Sequence, residues 1–295
     1  MLEIHRRPSI STKNINLKTL TTMINQFTQY LEKIRGFSPR TSLAYGKDLR
    51  AFAKFMKQLR SEARWSTITR EDLDAFICWQ CNEGLAPATT NRRLSAISSF
   101  YNYLRREGYE VNNPCRYQSR RKLPKRLPNT LNCEELSRAY QQSSGCVKLM
   151  LGLLITTGMR LQEMLELTWE DIDTSTGTIS LHGKGNKERR VKTTAEIAQF
   201  LHEIGKTQNP KTRLFGWSQR ETRYCIFNAL KSQCHGKQLS PHAIRHTIAT
   251  HMAGCGINTI EIARLLGHES LDTTQKYINM AEAERADANI QTSII

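Results

Sequence analysis

The sequence predicts a mainly α chain of two domains, the second carrying a small antiparallel β-sheet. Three observations carry that prediction. Apolar residues recur at helical spacing through most of the chain, and the runs are closed by glycines. Residues 113–130 break the pattern with Pro114, Pro124 and Pro128 among Arg116, Arg120, Arg121, Lys122, Lys125 and Arg126. One pair of short strand-like runs flanks a glycine-rich turn in the second half.

The elements follow in order. Residues 1–17 are polar and basic without a clear period, and are expected to be a flexible leader. The N-terminal domain spans 18–112. Its first helix, over 18–35, carries Leu20, Met23, Ile24, Phe27, Tyr30, Leu31 and Ile34, and Gly36 ends it. Ser38-Pro39 opens a second helix with Tyr45, Leu49, Phe52, Phe55 and Met56 on one stripe. Thr69 is placed as the N-cap of a third helix, with Asp72 in the capping-box position and Gly84 at the close. Ala88-Thr89-Thr90 leads into a fourth helix, bearing Leu94, Ile97, Phe100, Tyr101 and Leu104 and ended by Gly108. Short loops make these a compact four-helix bundle whose aromatic residues form its core.

Residues 113–130 read as a cationic linker stiffened by proline. The second domain, 131–295, opens with a helix over Cys133–Tyr140 and a strongly apolar, buried helix over Val147–Thr157. A further helix after Gly158 carries Leu161, Met164, Leu165 and Leu167. Thr178–Leu181 and Arg189–Val191 read as hairpin strands around Gly183-Lys184-Gly185-Asn186-Lys187. From Ala195 the pattern is helical again. Tyr224 reads as a mid-helix core position.

Bulk properties narrow the function. A chain of 295 residues with 39% hydrophobic and 24% charged residues is globular and long enough for two domains. No apolar run reaches the ~18 residues of a membrane span. No apolar segment follows the basic N-terminus, so a cytoplasmic protein without a membrane partner is expected. The eight cysteines are then expected as reduced thiols, and Cys78 and Cys81 as two thiols on one helix. The net charge of +16 is uneven: residues 1–130 hold 24 Lys and Arg against 10 Asp and Glu. A polyanion partner fits that excess, because basic side chains neutralise phosphates and release counterions. The Arg92-Arg93 pair near a helix start, and Arg120, Arg121, Lys122, Lys125 and Arg126 in the linker, are the candidate contacts.

Several polar residues fall at helix starts and turns in the second domain: Arg160, Glu163, Lys184, His242, Arg245, His268 and Tyr277. Each alone has a plain structural explanation. Arg160 could pair with Glu163 on one helix face, and a tyrosine more often packs than reacts. Together they mean more. Thr157-Gly158-Met159-Arg160-Leu161-Gln162-Glu163, the Gly183–Arg189 hairpin, His242-Ala243-Ile244-Arg245-His246, Leu266-Gly267-His268 and the Tyr277 segment stand in that order. This set resembles the tyrosine recombinase (phage-integrase) family, most closely its Xer-type members. The bundle is similar to the family's core-binding (SAM-like) domain, and the likeness covers roughly residues 18–285.

The resemblance implies a site-specific DNA recombinase that cuts and rejoins strands through a 3′-phosphotyrosine and a Holliday junction. It implies Tyr277 as nucleophile, with Arg160 and Arg245 gripping the scissile phosphate. Lys184 would protonate the leaving 5′ oxygen. His242 would serve as acid/base or hydrogen-bond donor, His268 would add a hydrogen bond, and Glu163 would orient Arg160 or His242. Double-stranded DNA is the implied partner, bound by a homotetramer, with a second recombinase or accessory protein as a further implied partner.

The chemistry of these groups agrees with those roles. Two guanidiniums remain charged and meet phosphate oxygens in a planar fork. A phenol with a pKa near ~10 attacks once activated and leaves readily afterwards. One phosphoester replaces another, so neither ATP nor a metal cofactor is expected, and no carboxylate cluster of the two-metal kind stands in the sequence. Two rivals use the same fold. One is a catalytically inactive DNA-binding relic, and the other is a type IB topoisomerase-like relaxing enzyme.

Overall fold

The computed structural model of the chain describes residues 20–60, 64–124, 128–183, 188–234, 238–268, 271 and 274–282. The expected leader over 1–17, Lys125, Arg126, Lys184 and the tail from residue 283 lie outside the described residues. The chain divides into two compact units, Met1–Lys125 and Arg126–Ile295. It is mainly α, with one small antiparallel sheet in the second unit.

The first unit is a bundle of α1 (Leu20–Lys33), α2 (Pro39–Leu59), α3 (Arg70–Asn82) and α4 (Pro87–Arg106). The helix starts form for local reasons. Ser38 Oγ accepts from the Thr41 amide, and Pro39 presets the first turn of α2. At α3 the Thr69 hydroxyl accepts from the Asp72 amide, and the Asp72 carboxylate accepts the Thr69 N–H at 2.9 Å, as the capping-box spacing predicts. That carboxylate also meets Arg60. The core is aromatic: Phe27, Phe52, Phe76, Phe100, Trp65 and Tyr101 are fully buried. Phe52 packs edge-on to Phe76, and Trp65 edge-on to Phe100, each pair with centroids 4.9 Å apart. The Tyr101 hydroxyl donates to the Trp65 carbonyl at 2.8 Å, so that hydroxyl is satisfied despite its burial. Cys78 and Cys81 are exposed free thiols on α3.

The segment after α4 does more than space two domains. Asn91 brackets it, donating to the Arg121 carbonyl and accepting the Arg121 N–H, both at 2.9 Å. Residues up to about 121 are thereby tied to the helical bundle.

The second unit contains α5 (Cys133–Gln142), α6 (Gly145–Thr157), α7 (Leu161–Glu166), α8 (Ala195–Gly205), α9 (Gln219–Lys231), α10 (Pro241–Gly254) and α11 (Thr259–Leu266). Residues 274–282 form a last described helix, α12. The expected hairpin is present as β2 (Thr178–His182) and β3 (Glu188–Lys192), with Ile179 opposite Val191 and Leu181 opposite Arg189. A two-residue strand, β1 (Ile172–Asp173), adds an edge that its length hid from pattern reading. Ile179, Leu181 and Val191 point inward, as period-two alternation requires. Apolar α6 lies at the centre and packs against α5, α7, α8, α9 and α10.

One expectation is corrected. Tyr224 is not core: it is 66% exposed. The buried stripe of α9 is Thr222, Ile226 and Leu230, and a residue two positions from Thr222 lies roughly 200° around the helix.

Candidate active site

Two helix ends build the floor of the site. α6 stops at Gly158 (φ 60°) and α11 stops at Gly267 (φ 67°), both in the left-handed region that favours glycine. Helix ends of this kind leave carbonyls without intrahelical donors. Here guanidiniums take them. Arg245, on α10, donates to the Gly158 carbonyl and to the Leu266 carbonyl, each at 2.6 Å. Arg160 donates to the Gly267 carbonyl at 2.7 Å. Arg189, on β3, donates through Nε to the Leu265 carbonyl at 2.9 Å.

Arg160 is not inside a helix. It is the extended residue that precedes α7, and Glu163 reaches back to accept its backbone N–H at 2.7 Å. The same carboxylate accepts from the Arg160 guanidinium at 2.8 Å and from both terminal nitrogens of Arg189 at 2.9 and 2.7 Å. Glu163 is buried. Burial opposes its charge, but the bonds from Arg189 and from the Arg160 backbone, with the Arg189 charge and the bond from the Arg160 guanidinium, hold its pKa down at about 2. The carboxylate therefore bridges Arg160 and Arg189. Its second partner is Arg189, and no hydrogen bond joins it to His242.

Arg245 is buried, and burial together with the neighbouring Arg160 charge lowers its pKa to about 10. It remains a cation at neutral pH. His242 is exposed in the first turn of α10, where Ser240 caps the helix at the Ala243 amide. Partial burial of its ring, then Arg245, Arg223 and Arg160, lowers its pKa. His268 follows Gly267. Its Nδ1 lies 2.8 Å from the Thr274 hydroxyl, and burial plus the arginine charges lowers its pKa to about 4.

Tyr277 lies on α12 and is 2% exposed. Its ring stacks on His268 with centroids 5.9 Å apart, and its hydroxyl is 2.7 Å from His246 Nδ1. Burial raises its pKa, while Arg245 and Arg160 pull the other way. The fold thus brings Arg160, Glu163, His242, Arg245, His268 and Tyr277 into one neighbourhood. Lys184 lies outside the described residues.

Sequence reasoning missed two residues. Arg189 read only as a strand residue beyond the hairpin turn, and His246 only as the residue after Arg245. Both act through partners 26 to 76 residues away, which no local pattern announces.

The basic residues of the first unit divide by environment. Arg93 is largely buried, donating to Gln80 at 3.2 Å and lying 3.7 Å from Asp48. Arg92 meets the same buried Asp48 at 2.5 Å but is about half exposed. Arg120 donates to the Asn91 carbonyl at 2.6 Å, and Arg121 to the Leu85 carbonyl and the Thr90 hydroxyl. Lys122 is exposed. Arg105, Arg116 and Arg120 line an open polar hollow with Asn102 and Asn113. Among the described residues, no three His, Cys, Asp or Glu side chains are grouped to hold a metal ion, and no helix is long and apolar enough to cross a membrane.

Comparison with known proteins gives a consistent result. Residues 129–284 match the model of the phage integrase family, and residues 24–108 match the phage integrase N-terminal SAM-like domain. The chain is 30% identical to tyrosine recombinase XerC of Lactobacillus delbrueckii subsp. bulgaricus, over 88% of this chain and 95% of the relative. It is 30% identical to tyrosine recombinase XerD of Proteus mirabilis, over 92% of each. Its fold is also that of a lambda integrase tetramer bound to a Holliday junction, with a TM-score of 0.67 at 18% identity over 90% of this chain and 78% of the other. With a family model matched over more than half of its length and full-length relatives at this identity, the chain belongs to the phage integrase family and is a tyrosine site-specific recombinase.

Proposed function

We propose that the second unit cleaves double-stranded DNA with Tyr277 as nucleophile and Arg160 and Arg245 as the phosphate clamp. One observation carries this reading. The charges of Arg160 and Arg245 reach the tyrosine, Arg189 joins them through Glu163, all three rest on neutral backbone carbonyls, and among the described residues Glu163 is the one carboxylate that pairs with them. Such a site keeps a surplus of positive charge where an attacked phosphodiester gathers negative charge. Tyr277 Oη attacks phosphorus, and the 5′ oxygen leaves with a proton that we assign to Lys184. His242 and His268 add hydrogen bonds. With Thr274 on Nδ1, His268 can present Nε2–H to a phosphate oxygen, and its low pKa keeps the ring neutral. The 3′-phosphotyrosine conserves the bond energy, so rejoining needs no ATP and no metal.

The basic first unit and the segment after it would hold the duplex. The hollow between Arg105, Arg116 and Arg120 would accept a phosphate, and Arg92, Arg120, Lys122, Lys125 and Arg126 would add to the contacts. Arg93 and Arg121 would act mainly by shaping it, since each commits a terminal nitrogen to protein groups. The likeness to a lambda integrase tetramer on a Holliday junction supports a homotetramer on DNA, with strand exchange through such a junction.

The test is Tyr277→Phe on a nicked DNA substrate that traps the covalent intermediate. DNA binding should persist and the protein–DNA adduct should vanish. An adduct that survives moves the nucleophile elsewhere. Wild-type protein that forms no adduct would make the chain a DNA-binding relic. Relaxation of supercoiled plasmid without regard to sequence would make it topoisomerase-like.

A further inference from the structure

Among the described residues, the Tyr277 hydroxyl has one hydrogen-bond partner, Nδ1 of His246 at 2.7 Å. The rings are tilted by 40° with centroids 5.6 Å apart, so they meet through their polar atoms and not face to face. His246 shares a face of α10 with His242, one turn before it, and follows Arg245 directly. Burial, then His242 and Arg245, disfavours the imidazolium. Burial also disfavours the phenolate of Tyr277. The resting pair is therefore a neutral imidazole and an intact phenol, and the phenol, the better donor, donates to Nδ1. A buried phenol cannot attack phosphorus at useful speed while it keeps its proton, and the only described acceptor in reach is this nitrogen.

We propose that His246 is a catalytic residue, the proton acceptor for Tyr277 in strand cleavage. The proposal rests on the reading of Tyr277 as nucleophile. As the bond from Tyr277 Oη to phosphorus forms, the phenol proton passes to His246 Nδ1. The bond from phosphorus to the 5′ oxygen breaks, and that oxygen takes its proton from the acid on the leaving side. In rejoining, the 5′ hydroxyl attacks phosphorus and gives its proton back to the leaving-side acid, while the bond from phosphorus to Tyr277 Oη breaks and His246 returns its proton to the departing tyrosine oxygen. The imidazole is thereby restored after each cycle. This work is distinct from that of His242, whose exposed ring has no bond to the tyrosine.

The test uses the full chain and a nicked duplex recovered by selection for binding from a random DNA pool. Once the cleaved phosphate is mapped, the substrate is made with oxygen or with sulfur as the 5′ bridging atom. His246→Ala should slow adduct formation by about 10²-fold or more while binding is retained. Sulfur, which leaves without a proton, should not restore the rate, because the lost function lies on the nucleophile's side. Difluorotyrosine at position 277, a more acidic phenol, should restore part of it. His246→Asn keeps a polar group near Nδ1 but no basic nitrogen, and should remain slow.

A His246→Ala rate within about threefold of wild type overturns the proposal. So does rescue by sulfur, and so does a full rate in His246→Asn, which would leave His246 with positioning alone. The Tyr277→Phe control separates the two readings. An adduct that persists in it overturns the nucleophile assignment and this inference together. An adduct that it abolishes but the His246 variants leave intact overturns this inference only.

Discussion

Replacing Glu163 with Gln removes one negative charge from between two guanidiniums and turns an acceptor into a group with two N–H donors. The cost follows from the structure by two routes. Holding the carboxyl at about 2 against an ordinary 4.5 corresponds to about 3 kcal/mol of differential stabilisation of the charged form. Breaking a buried ion pair by removing one partner costs about 3–5 kcal/mol. Arg160 is 36% exposed and recovers some hydration, which brings the expected loss to roughly 2–4 kcal/mol. In urea, with a slope near ~2 kcal/mol/M, the unfolding midpoint of the second unit should fall by about 1–2 M. Hydrogen exchange in α6 and α7 would assign that transition to the second unit. The sign with pH is fixed. A depressed carboxylate pKa adds stability that is complete above the unfolded value and lost as pH falls through the folded one. The gap between wild type and Glu163→Gln should therefore be full at neutral pH and shrink from 4.5 down to about 2. A midpoint shift below about 0.3 M, or a gap that stays constant into acid, would refute this account of Glu163 as a charge-bearing bridge.

Three further outcomes are expected. Gly267→Ala forces a side chain into a φ of 67° and sets its Cβ 2.8 Å from the Arg189 guanidinium, so it should cost about 1–2 kcal/mol and slow adduct formation; a neutral effect in both assays would mean that Arg189 can move freely. His268, with its pKa lowered to about 4, must fold neutral, so it withdraws stability as pH drops from 6.5 toward 4; His268→Asn should flatten the urea-midpoint profile in that window, and an unchanged profile would contradict the burial argument. In the first unit, Arg121→Ala should lower the Tm by removing bonds to Leu85 and Thr90, worth about 1 kcal/mol each. Lys122→Ala should leave the Tm alone and reduce the salt slope of DNA binding by about one. The opposite pattern would place Arg121 on a phosphate.

What the sequence made legible was local. Thr69 with Asp72, Ser38 with Pro39, and the glycines at 36, 84, 108 and 158 act on neighbours within a turn, so they announce helix ends without any tertiary information. The site residues became legible jointly, through their order along the chain, and the fold then gathered most of them. What stayed hidden depends on long-range contact. Asn91 fastening Arg121, Arg189 completing the Glu163 bridge and His246 meeting Tyr277 each join segments 26 or more residues apart. Tyr224 failed for a different reason: an aromatic residue in a short amphipathic helix says nothing of which side it takes until the buried stripe of Thr222, Ile226 and Leu230 is known.

The placement of the arginines explains how the site tolerates so much positive charge before any substrate arrives. Carboxylate partners for all three would neutralise them and compete with a phosphate for the same donors. The fold uses helix C-termini instead. The ends of α6 and α11 offer the Gly158, Leu265, Leu266 and Gly267 carbonyls, which carry the negative end of each helix dipole. A carbonyl satisfies one N–H and fixes the guanidinium plane, yet leaves the formal charge uncancelled. Glu163 cancels one charge of three, and it does so from a buried position shared by Arg160 and Arg189, leaving Arg245 without a carboxylate of its own among the described residues. The left-handed glycines that end α6 and α11 are what turn those carbonyls toward the arginines. Helix termination and arginine placement are thus the same structural act here, and a change at either glycine should be felt in both.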